Sequence, residues 1–289
     1  MTDKTIIGVD LGGTNVRSGR IEAGRIHEIS SQKVRSDGTQ DEVLEDLVRC
    51  ISQVMQPGVD GIGVGVPAVV DTREGVVSDA VNLPSWKEVP LKRILEERFR
   101  RPVRVNNDAN CFAAGEWYYG KGKGVSDLVG LILGTGVAGG LICNGRLYEG
   151  RNCGAGEFGM LPYLDKNLEF YASGNFFRYS CGQSGEDVCQ QALSGDPDAL
   201  RVFHEYGRHV SWVIRSVLFT VDPQMIILGG SVSKAFPFFR DSLWSHLQDF
   251  PYKPVIRNIR IEPSETENIA LLGAAALFYS QAATSSGQI

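Results

Sequence analysis

Asp10 stands inside the apolar run Ile6-Ile7-Gly8-Val9-Asp10-Leu11 and is followed at once by Gly12-Gly13-Thr14-Asn15. A carboxylate is costly to bury without a cation or hydrogen-bond donors, so Asp10 belongs near a strand end that faces a cavity. Glycines lack Cβ and let backbone N–H groups approach phosphate oxygens, and Thr14 adds a hydroxyl donor. These residues suit a polyphosphate with a metal. They would equally make a Gly-Gly hairpin with Asp10 as its turn acid. Repetition favours the first reading. Leu131-Ile132-Leu133-Gly134-Thr135-Gly136 and Met225-Ile226-Ile227-Leu228-Gly229-Gly230-Ser231 are again apolar strands broken by glycine turns. Three such turns suggest one nucleotide held from both sides of a cleft. No GxxxxGK[ST] sequence is present, which argues against a P-loop. No strand leads into a well-formed GxGxxG helix start, which argues against a dinucleotide fold.

A second acid stands at a junction. Val103-Arg104-Val105 alternates like a strand, and Ala109 to Trp117 places Ala, Phe and Trp at helical spacing, so Asp108 is expected between a strand and a helix. There it could cap the helix by accepting its orphan N–H groups, or it could serve as a base. Asp71 is expected to cap a turn, and Trp86 to pack in the core.

The elements that must hold these residues can be read along the chain. Residues 5–35 read as strands joined by glycine-rich turns. Asp41 to Met55 carries Val43, Leu44, Leu47, Val48, Ile51 and Val54 at helical spacing and stops at Pro57-Gly58. Gly61 to Val66 is the next strand and Leu91 to Phe99 the next helix. Further strands are expected at Leu128 to Leu133 and Gly139 to Cys143, and a late one at Ile256 to Ile261. Helices are expected at Glu186 to Leu193, Pro197 to Phe219 and Ser233 to Leu247. A last helix, Ile269 to Tyr279, is expected to pack back on the first domain, with a disordered tail from Thr284 to Ile289.

Bulk properties exclude more than they select. At 289 residues, with a hydrophobic fraction of 43% and a net charge of −5, the chain reads as globular and lacks the basic excess of a general nucleic-acid binder. Met1 to Thr5 lacks the apolar core of a signal peptide, and no apolar run reaches membrane-spanning length. A cytoplasmic protein with no membrane partner is expected. Cys50, Cys111, Cys143, Cys153, Cys181 and Cys189 show no CxC or CxxC spacing and read as structural thiols. His27, His204, His209 and His246 have no ligand spacing and read as surface or helix residues.

In order along nearly the whole chain, these segments resemble the ROK sugar kinases of the actin-like ATPase superfamily, and among them the glucokinase-type enzymes. Asp10 to Asn15 is similar to the family's first phosphate motif, Gly134-Thr135-Gly136 to its second, and Leu228-Gly229-Gly230 to its adenosine motif. Gly65-Val66-Pro67-Ala68, Asn82-Leu83-Pro84-Ser85-Trp86, Asn106-Asn107-Asp108-Ala109-Asn110 and Gly156-Glu157-Phe158-Gly159 are similar to its sugar-site segments. The resemblance implies an α/β fold of two actin-like (ribonuclease H-like) ATPase domains around a central cleft. A smaller domain of residues 1–107 plus 270–289 and a larger one of 108–269 are expected. The implied reaction is transfer of the γ-phosphoryl group of ATP to the C6 hydroxyl of a hexose, glucose foremost. An N-acetylhexosamine kinase or a fructokinase is the enzymatic alternative, and a sugar-binding regulator without catalysis is the alternative of another class.

The same resemblance assigns roles. Asp108 becomes the general base for the sugar hydroxyl, and Asn107 holds a neighbouring hydroxyl. Pro67, Asn82, Glu157 and Glu169 complete the sugar site, the two carboxylates accepting from vicinal hydroxyls. Asp10 orients Mg²⁺ through water, while Gly12, Gly13, Thr14, Asn15, Gly134, Thr135, Gly136, Gly229, Gly230 and Ser231 hold the nucleotide. A homodimer is implied as well. With the phosphate motif beginning at Asp10, no helix-turn-helix of the kind found in repressor members is expected before it.

One departure is visible. Many ROK proteins follow Gly-Glu-x-Gly with a histidine and then a cysteine-rich loop that holds a structural zinc. Here Met160 takes the histidine position and Leu161 to Leu168 contains no cysteine. A thioether and one carboxylate, Asp165, cannot make a tetrahedral zinc site, so no zinc is expected. Order in this loop must then come from packing by Tyr163, Leu164 and Leu168. Ala68 stands where the family often has glycine, and its methyl group narrows the approach of the sugar.

Overall fold

Short β-branched runs alternate with amphipathic helices, and the chain builds two sheets of one design. The computed structural model describes residues 4–80 and 82–279, so the tail expected to be disordered lies outside the described residues. Strands β1 (Thr5–Leu11), β2 (Asn15–Glu22) and β3 (Arg25–Lys33) form an antiparallel meander. Helix α1 (Gln40–Val54) leads to β4 (Gly61–Val66). A small sheet of β5 (Val69–Asp71), β6 (Val76–Ser78) and β7 (Glu88–Val89) follows, then α2 (Leu91–Phe99) and β8 (Val103–Asn107). The order in the main sheet is β3-β2-β1-β4-β8, with β1, β4 and β8 parallel. Helix α3 (Asp108–Tyr118) starts directly from β8.

The second sheet repeats the plan. It contains β9 (Leu128–Leu133), β10 (Val137–Cys143) and β11 (Arg146–Tyr148). A hairpin of β12 (Pro162–Tyr163) and β13 (Lys166–Asn167) and the helices α4 (Leu168–Ala172), α5 (Asn175–Cys181), α6 (Gly185–Leu193) and α7 (Pro197–Thr220) precede β14 (Met225–Gly229). Then come α8 (Phe236–Leu247), α9 (Lys253–Asn258), β15 (Arg260–Pro263) and α10 (Ile269–Ala276). The order is β11-β10-β9-β14-β15, with β10 antiparallel to β9 and with β14 and β15 parallel to it.

The late strand expected at Ile256 to Ile261 is corrected: half of it is α9, and β15 begins at Arg260. Val255 and Ile256 favour a strand by type, but Pro254 sits in the first turn of a helix, where its missing N–H costs nothing. Among the described residues no helix is long and apolar enough to cross a membrane.

Contacts divide the chain into two compact units, Met1–Gly124 with Arg146–Ala155 and Thr266–Ile289, and Val125–Gly145 with Gly156–Glu265. In the first unit, alternation along β1 sends Ile7, Val9 and Leu11 to one face, where they pack with Val43, Leu47 and Ile51 of α1 and with the fully buried Trp86. Ile6 faces the other way, toward Leu272 and Ala275 of α10. That face is built for close approach. A Cβ on Gly8 would lie 2.0 Å from the Leu271 carbonyl oxygen, and one on Gly63 1.9 Å from that of Ala274. Helices α10 and α3 meet equally tightly, since a Cβ on Gly273 would fall 1.8 Å from the Cys111 carbonyl oxygen.

Candidate active site

The first unit gathers acids at the C-terminal ends of its parallel strands, the usual place for ligands in an open α/β sheet. Asp10 of β1 pairs in register with Gly65 of β4, and Gly65 pairs with Asn106 of β8. Alternation puts Asp10 on the same face as Gly8, toward α3 and α10. A Cβ on Gly65 would lie 3.1 Å from Cys111 Sγ and 3.7 Å from Asp108 Cα, so the strand passes directly beneath the start of α3. Burial pushes the Cys111 thiol far up, and the charges of Asp108, Cys153, Asp10 and Glu149 add to the shift in that order. The charges of Asp10 and Asp108 thus both bear on one buried thiol. Burial also raises the Asp10 carboxyl, against the opposing pull of Arg17, its cross-strand partner.

Gly12, Gly13 and Thr14 connect β1 to β2, so the segment is a hairpin turn, closed by Gly12 N–H donating to the Asn15 carbonyl at 3.0 Å. The two readings of this turn were not exclusive. Among the described residues none accepts from the N–H groups of Gly13 or Thr14, which leaves two consecutive donors of the kind that bind anions. Asn82 is exposed and lies against this turn: a Cβ on Gly13 would be 2.5 Å from Asn82 Cβ. Pro67 and Ala68 follow β4 at the same sheet edge, and Ala68 is buried.

Asn107 is the N-cap of α3, its Oδ1 accepting from the N–H groups of Ala109 at 2.8 Å and Asn110 at 3.4 Å. Its Nδ2 donates to the Ala68 carbonyl at 3.3 Å. Asp108 is thus the first helical residue and not the cap, although its Oδ1 also accepts from Ala109 N–H at 2.9 Å. Asp71 caps a turn as expected, accepting from Arg73 and Glu74 N–H.

The second unit has its own turn, Gly134-Thr135-Gly136 between β9 and β10, closed by Gly134 N–H donating to the Gly136 carbonyl at 3.0 Å. Its carbonyls are held from outside: Gly134 O accepts from Gly174 N–H at 2.7 Å, and Thr135 O from Asn175 Nδ2 at 3.4 Å. Again no described residue accepts from two consecutive N–H groups, those of Thr135 and Gly136. Gly230 follows β14 with φ +82, and a Cβ there would lie 2.3 Å from the Leu133 carbonyl oxygen, so the Gly229-Gly230-Ser231 turn fits beside the end of β9 only as glycine. Ser231 opens onto a cavity of about 400 Å³ that is also lined by Gly174, Glu186, Cys189 and Lys234.

Two carboxylates stand close to this turn. Glu169, on α4, accepts from Val137 N–H through Oε2 at 2.9 Å, and a Cβ on Gly136 would lie 2.5 Å from the same oxygen. Glu157 follows Gly156, whose φ of +98 and contact with Gly139 O tie the loop to β10. Although Glu157 keeps an exposed surface, partial burial and then the charge of Glu169 raise its carboxyl above the ordinary range.

The family profile of the ROK proteins matches residues 6–281. The chain belongs to the ROK family. The glucokinase of Thermotoga maritima is 28% identical over 309 aligned positions, spanning 94% of this chain and 96% of that protein. The N-acetyl-D-glucosamine kinase of Pectobacterium carotovorum is 32% identical, over 78% of this chain and 83% of its own length. The crystal structure of a ROK glucokinase from Streptomyces griseus, in complex with glucose and AMPPNP, superposes with a TM-score of 0.81 at 28% identity and covers 94% of this chain and 98% of that one. The fold is accordingly the actin-like, ribonuclease H-like ATPase fold, and the chain is a sugar kinase by kinship.

The stretch expected to lack a zinc loop, Leu161 to Leu168, forms the short β12–β13 hairpin and the start of α4. Tyr163 packs its ring edge-on against Tyr171 at 5.5 Å and against His209 at 5.7 Å, and its hydroxyl lies 3.2 Å from His209 Nδ1. Tyr171 hydrogen-bonds Asp165, and Leu168 is buried. Leu164 corrects the expectation: it is 64% exposed at the hairpin turn, with φ +52. Met160 is exposed as well. Among the described residues no cluster of three or more His, Cys, Asp or Glu side chains is arranged to hold a metal. Sequence reasoning missed Glu149 beneath the α3 junction and gave Cys153, read as a structural thiol, no part in it. The only available signal was Asn106 and Asn110 at one-turn spacing.

Proposed function

We propose that this ROK protein is an ATP-dependent hexose kinase that phosphorylates the C6 hydroxyl of glucose or a close relative, with Asp108 as the general base. The observation that carries this reading is the division of labour at α3. Asn107 is the N-cap and Asp108 the first helical residue, so Asp108 stands just beyond β8 at the strand ends where β1 carries Asp10. Asp108 accepts the proton of the C6 hydroxyl as its oxygen bonds to the γ-phosphorus and the bond to ADP breaks. The family resemblance assigns Pro67, Asn82, Glu157 and Glu169 to the sugar, the two carboxylates accepting hydrogen bonds from its hydroxyls. Asn107, whose Oδ1 is held by Ala109 and Asn110, holds a neighbouring hydroxyl through the Nδ2 hydrogen that is not donated to Ala68.

The glycine turns at Gly12 to Thr14 and Gly134 to Gly136 hold phosphate oxygens through their paired N–H groups, and the cavity beside Ser231 takes the adenosine. Asp10 fits a Mg²⁺ held through water: a single buried acid whose anion is disfavoured gains from a nearby cation, and Mg²⁺ keeps most of its ligands as water and phosphate. Bound with the nucleotide, the ion offsets charge on the phosphates. The glucose and AMPPNP of the S. griseus structure support the choice of sugar and nucleotide. The Pectobacterium relative supports an N-acetylhexosamine as the competing acceptor, with fructose a further candidate. The reading of another class is a sugar-binding regulator: Met160 and Ala68 leave it open, and Asp108, Asp10 and both Gly-Thr turns argue against it. A cytoplasmic homodimer is part of this proposal.

A coupled ADP-release assay over glucose, mannose, fructose, N-acetylglucosamine and N-acetylmannosamine tests the reading. Highest kcat/KM with glucose is expected. A preference for an N-acetyl sugar moves the substrate, and sugar binding without turnover across the panel replaces the kinase with the regulator.

A further inference from the structure

The side chain of Asn106 is held on every polar atom. Its Oδ1 accepts from Asn107 N–H at 2.8 Å, from Asn110 Nδ2 at 3.0 Å and from Cys153 Sγ at 3.1 Å. Its Nδ2 donates to Glu149 Oε1, and the other Glu149 oxygen accepts from Thr72 Oγ1 at 3.0 Å. Asn106 is 2% exposed and Cys153 4%. Donors on one side and a carboxylate on the other allow only one orientation of the amide. A flipped amide would turn its NH₂ against the Asn107 N–H, one residue before Asp108. Cys153 adopts φ +58, a conformation a non-glycine residue holds only when its surroundings fix it. Its thiol also accepts from Asn110 Nδ2 at 3.4 Å.

We propose that Glu149 and Cys153, on the segment after β11, are positioning residues that lock Asn106 and thereby set the aim of Asp108. This inference rests on the kinase reading for its kinetic consequence, but not for its structural one.

The test uses Glu149→Ala, Glu149→Gln, Cys153→Ala and Cys153→Ser in the full chain. Gln retains an acceptor for Asn106, and Ser retains a hydroxyl donor. Both alanine variants should lose about tenfold to a hundredfold in kcat at nearly unchanged sugar KM, the penalty of a slightly misplaced base. Gln and Ser should restore most of it. Independently of any activity, hydrogen exchange of the peptide 104–112 should quicken about tenfold in the alanine variants and stay at the native rate in Gln and Ser. Unchanged exchange in the alanine variants overturns the proposal, and so does native kcat with a merely lowered melting temperature. Quickened exchange in a protein that phosphorylates no sugar keeps the lock and discards the kinase.

Discussion

In the first unit the strand entering the glycine turn carries Asp10, opposite Arg17; in the second, the residue at the same register is Ile132, opposite Ala138. Strand order, strand directions and the closing of each turn by its first glycine are otherwise shared. A sheet that ends in a three-residue hairpin supplies paired N–H donors whichever side chains precede it. An acid is added only in one copy. The second copy takes its carboxylate from elsewhere, with Glu169 of α4 reaching back onto Val137 N–H. The shared plan therefore accounts for anion binding, and the difference accounts for where a cation and a base can be placed.

The comparison can be broken most severely at Asp108, which has no counterpart acid in the second unit. Asp108→Asn should lower kcat by about 10²–10⁴ with sugar binding retained by calorimetry; near-normal turnover would remove it as the base. Next comes the acid in the turn strand. Burial raises the Asp10 carboxyl, so its favourable contribution is present at low pH and is lost as pH rises through that raised value. At pH 7 Asp10→Asn should melt at a higher temperature while turnover falls about a hundredfold. The converse change, Ile132→Asp, places an acid with no Arg17 equivalent and should cost about 2 kcal/mol in denaturant unfolding. Equal stability of both variants with the native protein would show that the register difference carries no weight.

A subtler pair separates the second turn's glycines. Gly136→Ala displaces the Glu169 carboxylate and should raise the sugar KM about tenfold, the worth of one hydrogen bond to a charged group. Gly134→Ala, whose Cβ would meet nothing nearer than 3.9 Å, should stay within about twofold. Smallest is a pH effect. His209 is held neutral by burial, its value pushed down to about 4 from 6.5, so its stabilising contribution is present above pH 6.5 and is lost as pH falls toward 4. In the first unit Asp46, lowered by its hydrogen bonds from Arg35, keeps its contribution until pH falls below its ordinary 3.8. Hydrogen exchange at pH 5, corrected for intrinsic rate, should rise in residues 163–176 before it rises in α1.

Much of this was legible in the sequence because strand and turn chemistry are local. β4, α2 and β9 lie where apolar period and glycine placed them, and all three glycine turns follow strands. What escaped depends on distant partners. Asn107 and Asp108 are both short polar residues able to cap, and only the packing of Ala68 against the Asn107 amide decides which one does. Leu164 reads as core by type, yet a two-residue hairpin turn leaves it nowhere to go but solvent. His209 has no motif, and its burial follows from a ring cluster drawn from three separate segments.

The glycine-only contacts of α10 have a consequence in time. Helix α3 and strands β1 and β4 rest on a helix encoded some 150 residues downstream of α3, with the second unit's chain in between. At ribosomal rates of roughly 5–20 residues per second, the nascent first unit waits on the order of ten seconds or more with the Gly8 and Gly63 face uncovered. During that interval the second unit, Val125–Gly145 with Gly156–Glu265, is complete and available to fold while the first stays open, so the part begun first is finished last, and its exposed sheet face is where a chaperone has the longest opportunity to bind.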